Sequence, residues 1–172
     1  MFLQRTFLPG FVAVLLAASA TGAATITVDL RGGGDFADIW PAVEAAEDGD
    51  TVLVKPGEYL INAPINFRGK AIRLASESGP ERTTIRMHRQ PAHTDYASVF
   101  VFDSGEGPAS ILDGFTLTGG QGTDYYQSVP LGGGIFCYES SPTILHSRIL
   151  GNSARFGGGG GVYCVRSSPI LQ

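Results

Sequence analysis

One stretch of this chain occurs twice. Residues 132–145 read GGGIFCYESSPTIL, and residues 159–171 read GGGVYCVRSSPIL. Gly132, Cys137, Ser140, Ser141 and Pro142 return as Gly159, Cys164, Ser167, Ser168 and Pro169, each displaced by 27 residues. Near-identical side chains at one fixed offset imply stacked, equivalent passes of chain, which is the signature of a solenoid.

Within each copy the pattern alternates. Ile135 and Cys137 share one face of a short run and Phe136 and Tyr138 the other; Val162 and Cys164 stand against Tyr163 and Val165 in the same way. A period of two in β-branched and aromatic residues reads as a strand. No helix-period segment separates the copies, which excludes leucine-rich and ankyrin-like repeats. Gly runs and Ser-Ser-Pro corners supply the bends. A pass of about 27 residues accommodates three strands of ~5 residues, with successive passes ~4.8 Å apart as in-register parallel strands.

Residues 1–24 read as a secretory signal peptide: Arg5 is the sole charge, residues 7–18 are almost wholly apolar, and small residues follow. The apolar run is too short for a permanent anchor, so no membrane span is expected in the mature part. Loss of Arg5 leaves 11 of the 12 basic residues against 16 acidic ones, a net charge of −5. That balance, with no basic stripe, argues against a nucleic-acid partner.

Residues 25–50 are expected to hold a first strand (25–29) and an amphipathic helix (35–48), with Phe36, Ile39, Trp40, Val43 and Ala46 on its apolar stripe. Asp38 is the expected N-cap and Pro41 falls in the first turn. This helix would cover the open end of the stack, with Trp40 packed inward. Residues 51–172 are expected to form about five passes, beginning with a strand at 51–55. Ile72, Leu74 and Ile85 are expected to align with Val99, Val101 and Leu112 at the 27-residue offset. Leu112 and Leu117 are expected to align with Ile144 and Ile149 at 32, the extra residues forming a protruding loop at 121–131. The pattern stops in mid-pass at Gln172, as expected of the N-terminal part of a longer protein.

The wording GGGI-x-C-x-x-SSPTI, I-x-GN-x-A and GGG-V-x-C-x-x-SSPIL resembles the repeats of secreted bacterial right-handed parallel β-helix proteins of the pectin-lyase-like superfamily. The run AVEAAEDGDTVLVKPGEY is similar to the N-terminal cap of that family. The resemblance implies an all-β fold, a right-handed parallel β-helix with an N-terminal capping helix, truncated at its C-terminal end. Enzymes of the family act on acidic polysaccharides with outward carboxylates, often calcium, and a basic Arg or Lys. Asp103, Asp113, Asp124 and Glu139, with Arg148, Arg155 or Arg166, are the residues of those types here, at offsets that are not multiples of the repeat. The paired-Asp and Gly-His-Gly motifs of polygalacturonase-like hydrolases are absent. Gly57-Glu58-Tyr59-Leu60-Ile61 resembles the Gly-x-Tyr-x-Glu of pectin methylesterases, with Ile61 in place of the acid. The Gly-Gly-Gly-Ile and Gly-Gly-Gly-Val runs resemble polymorphic outer-membrane adhesins, without their Phe-x-x-Asn companion.

Cys137 and Cys164 should lie side by side, pointing inward, either as stacked free thiols or as a disulfide whose torsion parallel Cβ vectors make awkward. No metal-ligand spacing surrounds them. Phe136 and Tyr163 should stack outward and, with Tyr125 and Tyr126, are the candidate glycan-contact residues; the alternative is simple packing of a surface groove. Asn152 sits where its amide can bond a neighbouring pass. Ser140, Ser141, Ser167 and Ser168 read as corner residues, and His146 has no acid assigned behind it. No catalytic residues or resident cofactor are assigned.

Two functions follow. One is a secreted or cell-surface scaffold, adhesin-like, that binds polysaccharide or a cell-surface glycan and carries no catalytic site in this portion. The other is the N-terminal part of a polysaccharide lyase or glycoside hydrolase whose active residues lie beyond residue 172, with calcium implied for a lyase. Fold alone does not choose between them.

Overall fold

The computed structural model describes residues 22–126, 129–154 and 158–172, and of Tyr126 the backbone only. All but the last three residues of the expected leader, and Arg155, lie outside the described residues.

The chain opens with β1 (Thr25–Val28), helix α1 (Ile39–Ala45) and β2 (Thr51–Val54). Next come β3 (Gly57–Ile61), β4 (Arg73–Ser76), β5 (Thr83–Met87), and the short strands β6 (Tyr96–Ala97) and β7 (Phe100–Phe102). These are followed by β8 (Ile111–Asp113), β9 (Thr116–Thr118), β10 (Gly122–Tyr126), β11 (Val129–Leu131) and β12 (Ile135–Tyr138). The last elements are β13 (Thr143–Leu145), β14 (Arg148–Ile149), β15 (Val162–Val165) and β16 (Ile170–Leu171).

These strands make four separate small sheets. One is parallel, in the order β1-β2-β4-β8-β13-β16; a second, β14-β9-β5-β3, and a third, β15-β12-β7, are also parallel. The fourth, β11-β10-β6, is antiparallel. This corrects the expectation of one right-handed parallel β-helix of about five turns: the sheets are mixed and do not form a single continuous solenoid. Unequal spacing between paired strands accounts for the difference. In the six-stranded sheet Thr25 pairs Thr51, Thr51 pairs Arg73, Arg73 pairs Ile111, Ile111 pairs Thr143 and Thr143 pairs Ile170, at spacings of 26, 22, 38, 32 and 27 residues.

The registers follow the same lesson. Ile135 lies opposite Val162 and Cys137 opposite Cys164, at the 27-residue offset. Leu112 lies opposite Ile144, and Leu117 opposite Ile149. The expected match of Leu74 with Val101 and of Ile85 with Leu112 fails: Leu74 pairs Leu112, Ile85 pairs Leu117 and Val101 pairs Phe136. A shared 27-residue offset between apolar residues carried no information on which strand each would meet, and Val101 takes the face opposite to its core neighbours Phe100 and Phe102. The loop expected at 121–131 is instead the antiparallel pair β10 and β11, with Asp124 opposite Pro130.

Helix α1 is shorter than expected. Its proposed first turn is claimed by the sheet, where Phe36 bridges Val28 and the Asp35 carboxylate accepts from the Thr27 N–H at 2.8 Å and hydroxyl at 2.7 Å. Asp38 occupies the N-cap position, yet its side chain makes no cap bond. A seven-residue helix has little stability of its own and is held by packing. Ile39, Ala42, Val43 and Ala46 are buried, and Lys70 Nζ donates to the Val43 and Glu44 carbonyls at 2.9 and 2.7 Å, satisfying groups at the helix C-terminus. Trp40 does not pack inward. It is 42% exposed, and the Arg68 guanidinium lies 5.3 Å from its ring centroid.

The core is one cluster of buried residues. Val28, Val52, Val54, Leu74 and Leu112 join it from the six-stranded sheet, Tyr59, Ile85 and Leu117 from the four-stranded one, and the rings of Phe67, Phe100, Phe102 and Phe115 belong to it as well. Phe67 meets Phe102 edge-on at 5.3 Å, and Phe100 stacks on Phe102 at 5.9 Å. Burial of each such ring stabilises the fold by about 2–3 kcal/mol before entropic costs.

Candidate functional site

The alternation in the repeated stretch puts Phe136 and Tyr138 on one face of β12 and Tyr163 on the matching face of β15. Register then stacks Phe136 on Tyr163, with centroids 6.5 Å apart and planes inclined by 8°. The antiparallel pair β10–β11 brings a further ring over this face. Tyr125 lies 5.5 Å from Phe136 and 4.5 Å from Tyr138. As a result Phe136 is only 2% exposed, whereas Tyr125 is 41% exposed and Tyr138 and Tyr163 are half-buried. Phe136 therefore lies beneath the surface instead of on it, and supports the three tyrosines. The side chain of Tyr126, also a candidate, lies outside the described residues.

Tyr138 was not among the sequence candidates, although the signal existed: it sits two residues from Phe136 and must share its face. Its phenol is pushed up to about 12, by the neighbouring Tyr125 hydroxyl first and by Glu139 second, so it stays neutral at ordinary pH. Glu139 in turn is held below the usual carboxylate range by Arg166, then by Tyr138. Arg166 Nη1 reaches Glu139 Oε1 at 2.8 Å. Glu139 and Arg166 are the two corner residues that follow β12 and β15, both left-handed, with φ of 47° and 48°. The patch is thus an aromatic floor beside an exposed charged pair.

The remaining sequence candidates are dispersed. Asp113 accepts from His146 Nδ1 at 2.9 Å and pairs with Arg73 Nη2, so His146 does have an acid behind it. Burial raises the Asp113 pKa, but the hydrogen bonds from His146 and Arg73 together outweigh it and leave the pKa lowered. The Ser147 hydroxyl is engaged by backbone, donating to the Leu145 carbonyl at 2.8 Å and accepting from the Phe115 N–H at 3.3 Å. Asp103 is bonded to Asn66 and Tyr96, and Arg148 pairs with Glu81. Asp124, which has one buried oxygen without a partner, is raised by burial and by Asp95. Among the described residues considered for polysaccharide chemistry, Glu139 and Arg166 pair with each other, whereas Asp103, Asp113 and Arg148 are each engaged with other partners.

The corner serines bond across the repeat: Ser140 N–H donates to Ser167 Oγ at 3.1 Å and Ser168 N–H to Ser141 Oγ at 3.0 Å. Asn152 bonds the neighbouring strand region as expected, accepting from Gly120 N–H and donating to the Leu117 carbonyl, both at 2.9 Å. Cys137 and Cys164 are free thiols; Cys137 is buried, but Cys164 is exposed instead of pointing into a dry core. Glu106, absent from the sequence reading, is 1% exposed and accepts from Gly69 N–H, Ser104 N–H and Ser140 Oγ, each at 2.9 Å.

An open groove of about 780 Å³ runs elsewhere, lined by Leu60, Arg86, His88, Arg89, Gln121 and Ser153 among others. Among the described residues no group of three or more His, Cys, Asp and Glu is placed to hold a metal ion, and no helix is long and apolar enough to cross a membrane. No protein-family model matches the chain, and no curated protein or solved structure shows significant similarity to it.

Proposed function

We propose that this protein is an exported surface scaffold that binds polysaccharide or a cell-surface glycan through Tyr125, Tyr138 and Tyr163, without catalysis in this portion. The observation that carries this reading is the placement of Tyr125 across β12, which builds an exposed tyrosine surface over a buried Phe136. A sugar ring has an apolar C–H face and a rim of hydroxyls. Tyrosine offers the matching apolar face and polar tip at low entropic cost, and Glu139 and Arg166 stand beside it to meet hydroxyls. Export is supported by the pattern of residues 1–24, and an extracellular carbohydrate role by the pectin-lyase-like wording of the repeats.

The test is binding to a panel of neutral and acidic polysaccharides by affinity electrophoresis and calorimetry, with Tyr125→Ala and Tyr163→Ala. Loss of one stacked ring is worth about 0.5–1.5 kcal/mol, so each variant should bind roughly 2- to 12-fold more weakly. Wild-type affinity in both variants would refute the assignment of the surface. Appearance of unsaturated or new reducing ends during incubation, with or without calcium, would replace the scaffold by the lyase or hydrolase reading.

A further inference from the structure

β15 is the last strand of its sheet, in the order β15-β12-β7, so only one of its sides is hydrogen-bonded within that sheet. At its centre Cys164 lies directly opposite Cys137 of β12. Neighbouring parallel strands hold opposed Cα atoms ~4.8 Å apart, inside the ~4.4–6.8 Å range that disulfides span. The two thiols differ in one respect that gives them separate roles: Cys137 is buried and Cys164 is exposed. The obstacle is torsional, because aligned Cβ vectors do not present the ~90° torsion a disulfide adopts. Among the described residues β15 is bonded on one side only and leaves at a left-handed Arg166, so a shift that brings the thiols to the required torsion is resisted by one set of bonds, those that the Gly159, Gly160 and Gly161 carbonyls accept from Gly133, Gly134 and Ile135 included.

We propose that Cys137 and Cys164 form an oxidisable pair that accepts a low-molecular-weight disulfide and closes into a crosslink between β12 and β15. Cys164, as thiolate, attacks one sulfur of the disulfide; a mixed disulfide forms and one small thiolate leaves. Cys137 loses its proton and attacks Cys164 Sγ, the Cys137–Cys164 bond forms, and the second small thiolate leaves. The protein gives up two protons and two electrons, and the small disulfide is reduced to two thiols. The buried partner's proximity drives the second step, since it acts at an effective concentration no free thiol reaches. Burial pushes the Cys137 thiol up, with Cys164 adding to the effect, and burial also raises Cys164, so closure is slow at neutral pH and faster as pH rises. The crosslink holds β15 against β12 and keeps Tyr163 stacked on Phe136, although its formation does not depend on what that surface binds.

The experiment incubates the folded chain with oxidised glutathione, quenches with acid, alkylates the remaining thiols and reads the intact mass. The expected product is a monomer lighter by two hydrogens, with no alkylation and no retained glutathione, formed faster at higher pH. Cys137→Ser should stop at one glutathione adduct, and Cys164→Ser should stay unmodified while folded. In the wild type, hydrogen exchange of the β15 amides should slow by roughly tenfold or more on oxidation, because a strand bonded on one side becomes tethered at its centre. A wild-type product that keeps glutathione, forms intermolecular dimers or leaves both thiols free would overturn the proposal, and this readout needs no variant to fold.

Discussion

Glu106 offers the sharpest test of how this fold is held. Its carboxylate sits at 1% exposure, with no ion-pair partner among the described residues, and is sustained by three donors. Gly69 N–H reaches Oε1 at 2.9 Å; Ser104 N–H and Ser140 Oγ both reach Oε2 at 2.9 Å. The same residue's carbonyl accepts the Ser141 N–H at 2.6 Å, so one side chain and its backbone join three distant segments. Hydrogen bonds to a charged group contribute about 1.5–3 kcal/mol each, and a buried amide left without a partner costs about 1–3 kcal/mol. In Glu106→Gln the amide oxygen can take the Oε2 position and serve two donors, while its NH₂ then confronts the Gly69 N–H. One bond becomes a donor–donor contact and two lose charge assistance, a loss of about 2 kcal/mol. Glu106→Ala leaves two backbone amides unpaired, at about 4 kcal/mol. For a chain of this size each kcal/mol moves Tm by ~2–4 °C, so the midpoint should fall by ~4–8 °C for Gln and ~8–16 °C for Ala. Thermal and urea unfolding followed by circular dichroism measure both values, and a cycle with Ser140→Ala should show a coupling of about 1 kcal/mol. An alanine variant within about 1 kcal/mol of wild type would refute the reasoning.

Gly120→Ala should unfold the protein or lower its midpoint severely, because the new Cβ would stand 1.8 Å from the Gly133 carbonyl oxygen, whereas Gly107→Ala meets open space and should be near neutral in the same melts. Asp113 predicts part of the acid sensitivity. Its folded pKa lies below that of an ordinary, unfolded-chain aspartate, so the stability it contributes is present above the ordinary value and is lost as pH falls through the lower, folded pKa. Urea titrations below about pH 4 should therefore show a shallower loss of stability in Asp113→Asn than in wild type, even though other depressed carboxylates, including Asp35 and Asp50, contribute to the same slope.

The information legible before folding is local and periodic. Repetition at 27 residues was enough to place Cys137 beside Cys164 and Phe136 beside Tyr163, because identical corners and glycines in both copies enforce equal path lengths there. The corner role of the serine pairs was legible for the same reason, and the bridging amide of Asn152 from its place in a turn. Elsewhere the path lengths differ, and alternation reports only which face a residue takes. Whether Leu74 meets Val101 or Leu112 depends on how many residues the intervening loops consume, which no local pattern encodes. Tertiary structure alone divided the strands among four sheets and folded β10 and β11 antiparallel. It also buried Phe136 under Tyr125, set Asp113 behind His146 and closed three segments around Glu106. Each of those outcomes joins residues far apart in sequence, and only the packed chain brings them within reach of one another.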